Sequence, residues 1–513
     1  MESAIAEFLP EAKNCIHIYF NRPSASDDGQ PVPIAGPLQP EFTYQLFGEN
    51  ETILGYRDPN IRLDFIGGDM RPRVQIQYEE KVDLSTIPKF SEQQVDLDEA
   101  FREHLPEAAF STTENGKPSP DMSTWKPPGT MIKDFKANGK SYEVWSASLA
   151  DAAALQLWQN VQILVLFYVD GASPLELDED WTYKRWTLHL LYEVTPSDGS
   201  ASSSYILNGL ATSHRYWLPP TTNVMRWARS LPSPPTSTNG ASSPQRLPKL
   251  ERADNDDSRI FKETVELLEQ PCRERVSQFL IFPPYQGESL GTRMYQTLFD
   301  HYWKQPNVYE IPVEDPNEDF DVMRDYADVQ YLRTVPEFSQ LSIASTLAPE
   351  KLRKQCPIPR EDILGNGVDL EALRHKCKIA PRQFNRLVEI HLLSTIPPHH
   401  RSRARISRKD KSNSENDRKY YFWRLALKAR VYSQNADVLD QLSDDPEARV
   451  EQIEATVDRV QIEYEERLEG LKKRIAVAAE EQNGTLSRGT KRTRVIVESE
   501  DESSDDASKK QKL

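Results

Sequence analysis

The sequence predicts an α+β protein whose sheets lie before about residue 335 and whose helices dominate the rest. Three observations carry that prediction. Short apolar runs with a period of two recur up to Val313, bounded by Gly, Pro and Asp. From Tyr331 onward the apolar period changes to three and four residues. A charged stretch with no apolar period follows residue 480. On this basis residues 1–148 form a mixed α/β domain and 149–335 a second mixed domain. Residues 336–480 form a helical region and 481–513 a disordered tail.

At 513 residues the chain has room for two or three cores. The 38% apolar content is low for a chain compact throughout and points to disordered segments. Cys15, Cys272, Cys356 and Cys377 are scattered, with no CxxC and no framework, which indicates a reducing compartment and no structural zinc. No HExxH is present, and we expect no metal. The first residues, MESAIAEFLPEAKN, lack a signal-peptide pattern, and no run of eighteen apolar residues occurs, so no membrane association is expected. The net charge is −17, although residues 401–433 are basic. An acidic body favours a basic partner such as a cationic peptide and disfavours direct nucleic-acid binding, ordinary solubility being the other reading.

Taken in order, Cys15–Phe20 reads as a strand and 22–40 as a proline-rich loop. Ile61, Leu63 and Phe65 alternate, as do Val74, Ile76 and Tyr78, with Gly67-Gly68-Asp69 between them, which predicts a hairpin. Residues 83–130 read as largely irregular, and Tyr142–Trp145 as a short strand. Residues 150–160 suit a helix, and the β-branched run 161–169 (VQILVLFYV) suits a central strand. Two more strands are expected through Trp186–Val194 and from Tyr205. The Pro/Ser/Asn-rich segment 231–258 reads as a disordered insertion within a domain. In the last long helix Ile453, Val457, Val460, Tyr464, Leu468, Leu471 and Ile475 form one stripe, suited to packing on its own domain or to a coiled coil with a partner. The tail places Lys491–Arg494 and Lys509–Lys512 around an acidic, serine-bearing block, read either as a nuclear-import signal or as a solvated tail.

Phe279–Pro316 carries the chemistry. The apolar run Phe279-Leu280-Ile281-Phe282 stops at Pro283-Pro284, as a buried strand should. The turn Gln286-Gly287-Glu288-Ser289-Leu290-Gly291 leads into a helix with Met294, Tyr295, Leu298, Phe299 and Tyr302 on one face. Val308, Ile311 and Val313 form a second strand ending at Glu314-Asp315. Backbone N–H groups at a helix start attract phosphate. The turn is neither a P-loop nor a GxGxxG fingerprint, which leaves a pyrophosphate cradle of another kind or an ordinary glycine turn. A lysine amine, with an ordinary pKa of about 10.4, must lose a proton before it attacks an acyl group, so a strand-end carboxylate is a sensible base. The other reading of Glu314-Asp315 is a helix-capping pair.

At these residues the sequence resembles the GNAT acetyltransferases and, among them, the type B histone acetyltransferase catalytic subunits. The GNAT pattern Gln/Arg-x-x-Gly-x-Gly/Ala stands here as Gln286 to Gly291, with Ser289 in place of a glycine. SQFLIFPPYQG, VEDPNEDFDVMRD and LFGENETILGY (46–56) resemble further segments of that family. So does Val169–Ser173 with Asp178–Trp181, where Asp170 replaces the usual glutamate and the spacing to Trp181 is one residue longer. The resemblance implies a GNAT-like central domain over 149–335, a mixed twisted sheet with acetyl-CoA between splayed strands. Phe279, Leu280 and Ile281 would pair with the pantetheine arm; the amides of Gln286, Gly287, Glu288, Ser289, Leu290, Gly291 and Thr292 would hold the pyrophosphate, with Asn317 as a further contact. It implies Glu314 as general base, supported by Asp315 and Asp170, and a peptide groove lined by Glu49, Asn50, Glu51, Trp181 and Tyr216. The implied reaction is direct acetyl transfer to lysines of free, newly made histone H4, in cytoplasm and nucleus, with a WD-repeat histone chaperone as partner.

Overall fold

The computed structural model describes residues 7–22, 32–83, 94–111, 125–178, 180–196, 203–218, 221–229, 268, 270–353, 355–442 and 446–482. The expected insertion at 231–258 and nearly all of the expected tail lie outside the described residues.

The first sheet holds β1 (Ile16–Arg22), β2 (Val32–Leu38), β3 (Asn60–Ile66) and β4 (Arg71–Gln77) in the order β2-β1-β3-β4. The predicted hairpin is β3–β4, antiparallel with Leu63 opposite Val74. Strand β2 falls where a proline-rich loop was expected, and its sequence VPIAGPL explains why it is tolerated. It is an edge strand, and a proline without an N–H removes no ladder bond on an open edge.

The second sheet holds β5 (Thr130–Ala137), β6 (Lys140–Ser148), β7 (Trp186–Pro196), β8 (Ser203–Trp217), β9 (Cys272–Ile281) and β10 (Val308–Glu310), in the order β10-β9-β8-β7-β6-β5. All neighbours are antiparallel except β9 and β10. The sheet takes two strands from before residue 148, so it runs through the boundary expected there.

Helix α1 (Ala152–Tyr168) corrects the strand expected over 161–169. Asp151 caps it, accepting from the N–H groups of Ala153 and Ala154, and the apolar run then continues the helix without a break for 17 residues. Local β-branching suggested a strand, but α1 is buried on nearly every side and so shows no amphipathic stripe. It lies against β4 of the first sheet and β9 of the second. Asn160 Nδ2 donates to the Asp69 carbonyl at 2.9 Å, and Tyr168 Oη to the Gln39 carbonyl at 3.1 Å. One continuous core therefore runs from Ala12 to Leu298.

Next come α2 (Asp180–Arg185), α3 (Leu290–Trp303) and α4 (Glu318–Leu332), followed by α5 (Leu370–Cys377), α6 (Pro381–Thr395), α7 (Glu415–Leu442) and α8 (Pro446–Gln482). The last three pack on one another, with α6 and α8 also against α4, while α5 reaches the sheet edge. Buried Glu310 of β10 pairs with Arg273 of β9 at 2.6 Å and with Arg374 of α5 at 3.0 Å. The stripe of α8 packs on its own chain, with Val457, Tyr464, Leu468 and Leu471 buried and only the outlying Ile475 largely exposed. Gly470 leaves no room for a Cβ against the Tyr326 hydroxyl of α4, and Arg467 reaches Asp325 at 3.4 Å.

At the centre of these helices Glu389 is fully buried. Its carboxylate accepts from Arg360 at 2.8 Å, from Arg430 at 2.9 Å and from Tyr464 at 2.9 Å. Removing the buried acceptor would leave two half-buried guanidinium groups without their carboxylate and Tyr464 without its acceptor. Glu389→Ala is expected to destabilise the chain by about 3–5 kcal/mol, measured as a lower midpoint in urea unfolding.

Candidate active site

Strands β9 and β10 start as a parallel pair, with Cys272 opposite Val308, and keep contact through the bridge between Val276 and Val313. Val276 donates to the Pro312 carbonyl at 3.0 Å and accepts from the Glu314 N–H at 2.9 Å. Beyond that point the strands part, because chain 314–317 turns away into α4 while β9 continues to Ile281. On its other side β9 stays paired with β8 through a bulge, where the Gln278 N–H is taken by Thr212 Oγ1 at 3.2 Å. Phe282 donates to the Asn208 carbonyl. The two-residue alternation of a strand then turns the Phe279 and Ile281 N–H groups away from β8, toward the edge that β10 leaves open. The side chains of Leu280 and Ile281 are core, and Phe279 packs on Phe320 of α4 at 5.1 Å between ring centroids. The backbone, not these side chains, faces the parting.

The glycine turn follows as expected. Gln286 Nε2 bonds the Ile281 carbonyl at 2.9 Å, folding the turn back on the strand end. Gly287 takes φ 79° with open space around it, and Ser289 takes φ 61°, ψ 12° as the cap residue of α3. The family-pattern glycine is absent at 289, yet serine adopts the left-handed conformation that glycine would take. The first intrahelical bond of this turn runs from Arg293 N to Ser289 O, so the N–H groups of Leu290, Gly291 and Thr292 have no acceptor within the helix. Gly291 lets α3 approach closely: a Cβ there would meet Met323 Sδ at 3.1 Å and Ile281 Cγ1 at 3.5 Å. These donors, at the positive end of a 14-residue helix, suit a pyrophosphate, and the open edge of β9 suits an amide-bearing arm. The residues fit acetyl-CoA.

Glu314 sits at the parting, half-buried. Its Oε2 accepts from Ser277 Oγ, and its Oε1 lies 2.7 Å from an Arg275 guanidinium nitrogen. Arg275 in turn lies over the Tyr216 ring, 4.2 Å from its centroid. Asp315 is exposed, in a turn with φ 25°. Asn317 spends its side-chain oxygen as the cap of α4, accepting from the Phe320 N–H at 2.9 Å.

Tyr216 belongs to an aromatic wall. Arg185 lies between Trp181 and Trp217, 5.3 and 5.0 Å from their rings, and donates to the Arg215 carbonyl at 2.9 Å. Both tryptophans are about half exposed, at 46% and 52%. His214 stacks on Trp186 at 4.5 Å. Burial, reinforced by the Arg185 and Arg275 cations, brings its pKa down to about 4, so the ring is neutral near pH 7. Opposite, Tyr44 Oη donates to Asp170 Oδ1 at 3.1 Å and accepts from the Gly171 N–H at 2.6 Å. Gln45 reaches the Ala172 carbonyl, and Gln278 of β9 the Ser173 carbonyl. The 44–51 turn, the 170–173 segment, β9 and Glu314 are thus linked bond by bond. Glu49 and Asn50 are exposed on that turn. Glu51 faces inward, its Oε2 accepting from the Thr43 N–H at 2.6 Å and the Thr43 hydroxyl at 2.7 Å, which makes it a brace of the turn.

Sequence reasoning did not single out Tyr44, Arg185, Arg275, Ser277 or Gln278. The period-two spacing of Arg273, Arg275 and Ser277 puts them on one strand face, but only the register with β10 shows that this face meets Glu310 and Glu314. Cys272, on the same strand, is buried, and burial pushes its thiol up to about 12, so it supplies no thiolate.

Comparison with known proteins identifies the class. Residues 8–170 match the family described as histone acetyl transferase HAT1 N-terminus, and residues 366–396 match fungal HAT1, C-terminal. The chain is 33% identical to the histone acetyltransferase type B catalytic subunit of Gibberella zeae over 470 residues, covering 89% of this chain and 90% of that one. It is 34% identical to the protein of the same name in Neurospora crassa, covering 89% and 85%. To the Aspergillus oryzae protein it is 34% identical, covering 83% and 80%. The chain is an acetyltransferase. It belongs to the family of histone acetyltransferase type B catalytic subunits, and that family implies acetyl-CoA as co-substrate.

A serine held left-handed costs about 1–2 kcal/mol, whereas glycine in its place costs about 0.5–1 kcal/mol of chain entropy. Ser289→Gly is therefore expected to raise stability by about 0.5–1 kcal/mol, seen as a higher melting temperature; an unchanged or lower one would contradict the strain at this cap.

Proposed function

We propose that this chain acetylates lysine side chains of free histone H4 before chromatin assembly, with Glu314 as general base. One observation carries this reading: a half-buried carboxylate stands where β9 and β10 part and is joined through Arg275 to Tyr216 of the aromatic wall. Acetyl-CoA brings the acyl group as a thioester, whose C–S bond is exchanged for a C–N bond to lysine. The backbone of Phe279 and Ile281 and the α3 amides hold and orient that cofactor, Gly287 and Gly291 giving them access. Glu314 accepts the proton that the lysine ammonium must shed, and Ser277 fixes the carboxylate oxygen that faces it. Asp170, Glu49 and Asp315 place negative charge along the approach, which suits a tail rich in lysine and arginine. The wall holds the apolar stems of that tail. The buried, high-pKa Cys272 offers no thiolate to carry the acetyl group, which favours direct transfer with no covalent enzyme intermediate.

A catalytic subunit named in its relatives as type B supports a non-catalytic partner, which we propose to be a WD-repeat histone chaperone, and work in both cytoplasm and nucleus. A histone-binding scaffold without catalysis is disfavoured because, with Ser289 in place, the Leu290, Gly291 and Thr292 N–H groups still stand without acceptors in the helix.

Glu314→Gln is expected to keep the melting temperature and the calorimetric affinity for acetyl-CoA while lowering kcat by about 10²–10⁴-fold. Turnover like that of the unaltered enzyme would remove Glu314 as the base. Mass spectrometry of H4 incubated with the protein and acetyl-CoA, in competition with other basic proteins, tests the substrate; equal modification of all of them would overturn H4 selectivity.

A further inference from the structure

Three carboxylates meet arginines around β9, and they differ in kind. Glu310, 4% exposed at its side chain, is locked by two arginines, the buried Arg374 and the partly exposed Arg273, so the contrast lies in the carboxylate. Glu274, 2% exposed, is locked by Arg215, which is also bonded to the Gln305 side chain at 3.1 Å. The third pair, Arg275 and Glu314, is about one-third exposed on both sides, at 31% and 32%. Buried pairs resist breaking because each leaves an unpaired charge in low dielectric, whereas a pair in reach of water separates cheaply. Arg275 is also lightly held: its guanidinium places one nitrogen on Glu314 and lies over the Tyr216 ring. A carboxylate oxygen opposite an aromatic face is a seat for one cation, and it suits an ammonium as well as a guanidinium.

We propose that Arg275 is a displaceable occupant of the substrate's cation seat. Its guanidinium fills the place between the Glu314 carboxylate and the Tyr216 ring that a substrate lysine must take, and it yields toward solvent when the lysine ammonium arrives. This rests on the lysine acetyltransferase reading and deepens it. With Ser277 on one carboxylate oxygen and Arg275 on the other and over the ring face, a lysine takes this seat only as Arg275 leaves it, so arrival and departure are a single exchange. The exchange makes Arg275 a specificity-determining residue. A side chain must carry a positive charge and reach the seat to displace it, so a neutral acyl-lysine product competes poorly with Arg275 and is readily released. Ser277 keeps the carboxylate in place during the exchange through the other oxygen.

The test is calorimetry with the full chain loaded with CoA, titrated with an H4 tail peptide holding a single lysine and with the same peptide carrying acetyl-lysine. Arg275→Gln removes the competing charge and is expected to bind the lysine peptide about fivefold or more tighter, with the acetyl-lysine peptide changed less than twofold. Arg275→Met keeps the stem over the ring and is expected to behave as Arg275→Gln; Arg275→Lys keeps a cation and is expected to stay within about twofold of the unaltered protein. Melting temperatures of all three variants guard against a folding effect. Weaker or unchanged binding of the lysine peptide to the two neutral variants at unaltered melting temperature would overturn the proposal, as would an equal gain for both peptides. If the unaltered protein transfers no acetyl group to the lysine peptide, the acetyltransferase reading of this site fails instead; transfer with unchanged affinity in the variants fails the cation seat alone.

Discussion

The chain leaving β10 follows β9 only as far as Val276, where the Glu314 N–H closes the last bond between them. Everything chemical in the chain depends on that early end of pairing. It frees the Phe279 and Ile281 amides, which a longer β10 would have consumed in a ladder. It also stops the chain at Glu314, so that a carboxylate, not another strand residue, fills the gap. The turn that follows is held by Asn317 capping α4, and α4 holds Phe279 through Phe320. The splay is thus stabilised by helix capping and packing on both sides and needs no strain within the strands.

The surrounding charges divide by burial. Glu310 and Glu389 each draw two arginines and join the sheet edge to the helices, or the helices to one another. Such networks contribute as specific locks, since each member would be costly if unpaired. Around Glu314 the same chemistry stands in partial contact with water, where charges can exchange partners. Glu310 and Glu389 on one side and Glu314 on the other differ in exposure, not in residue type.

The strand–turn–helix–strand order of 279–313 was legible in the sequence because each piece carried its own period and punctuation, but the last strand stops at Glu310, short of the expected Val313: Ile311 N–H is taken by the Lys378 carbonyl, and Val313 keeps only a single bridge to Val276. Residues 161–169 were misread because full burial erases the periodicity that separates helix from strand. Strand β2 was missed because its prolines speak against a sheet until its edge position is known. In the site, Glu314 and the glycine turn were visible as motifs. Arg275, Ser277 and Tyr44 were not, since an arginine on a strand or a tyrosine in a turn has no pattern of its own. Glu51 looked like part of a groove and proved to be a brace, because its direction is set by Thr43.

The sequence by itself determined the local grammar: which runs are apolar, where glycine permits a left-handed turn, where a carboxylate ends a strand, and that the long C-terminal helix has a single apolar stripe. Those features depend on residues close together in the chain. The tertiary structure alone decided that α1 lies between two sheets, that the second sheet crosses residue 148, and that the α8 stripe is covered by its own chain. It alone brought Tyr216, Arg275, Ser277 and Glu314 together, because strand register and the end of β10 are set by packing between segments far apart in sequence.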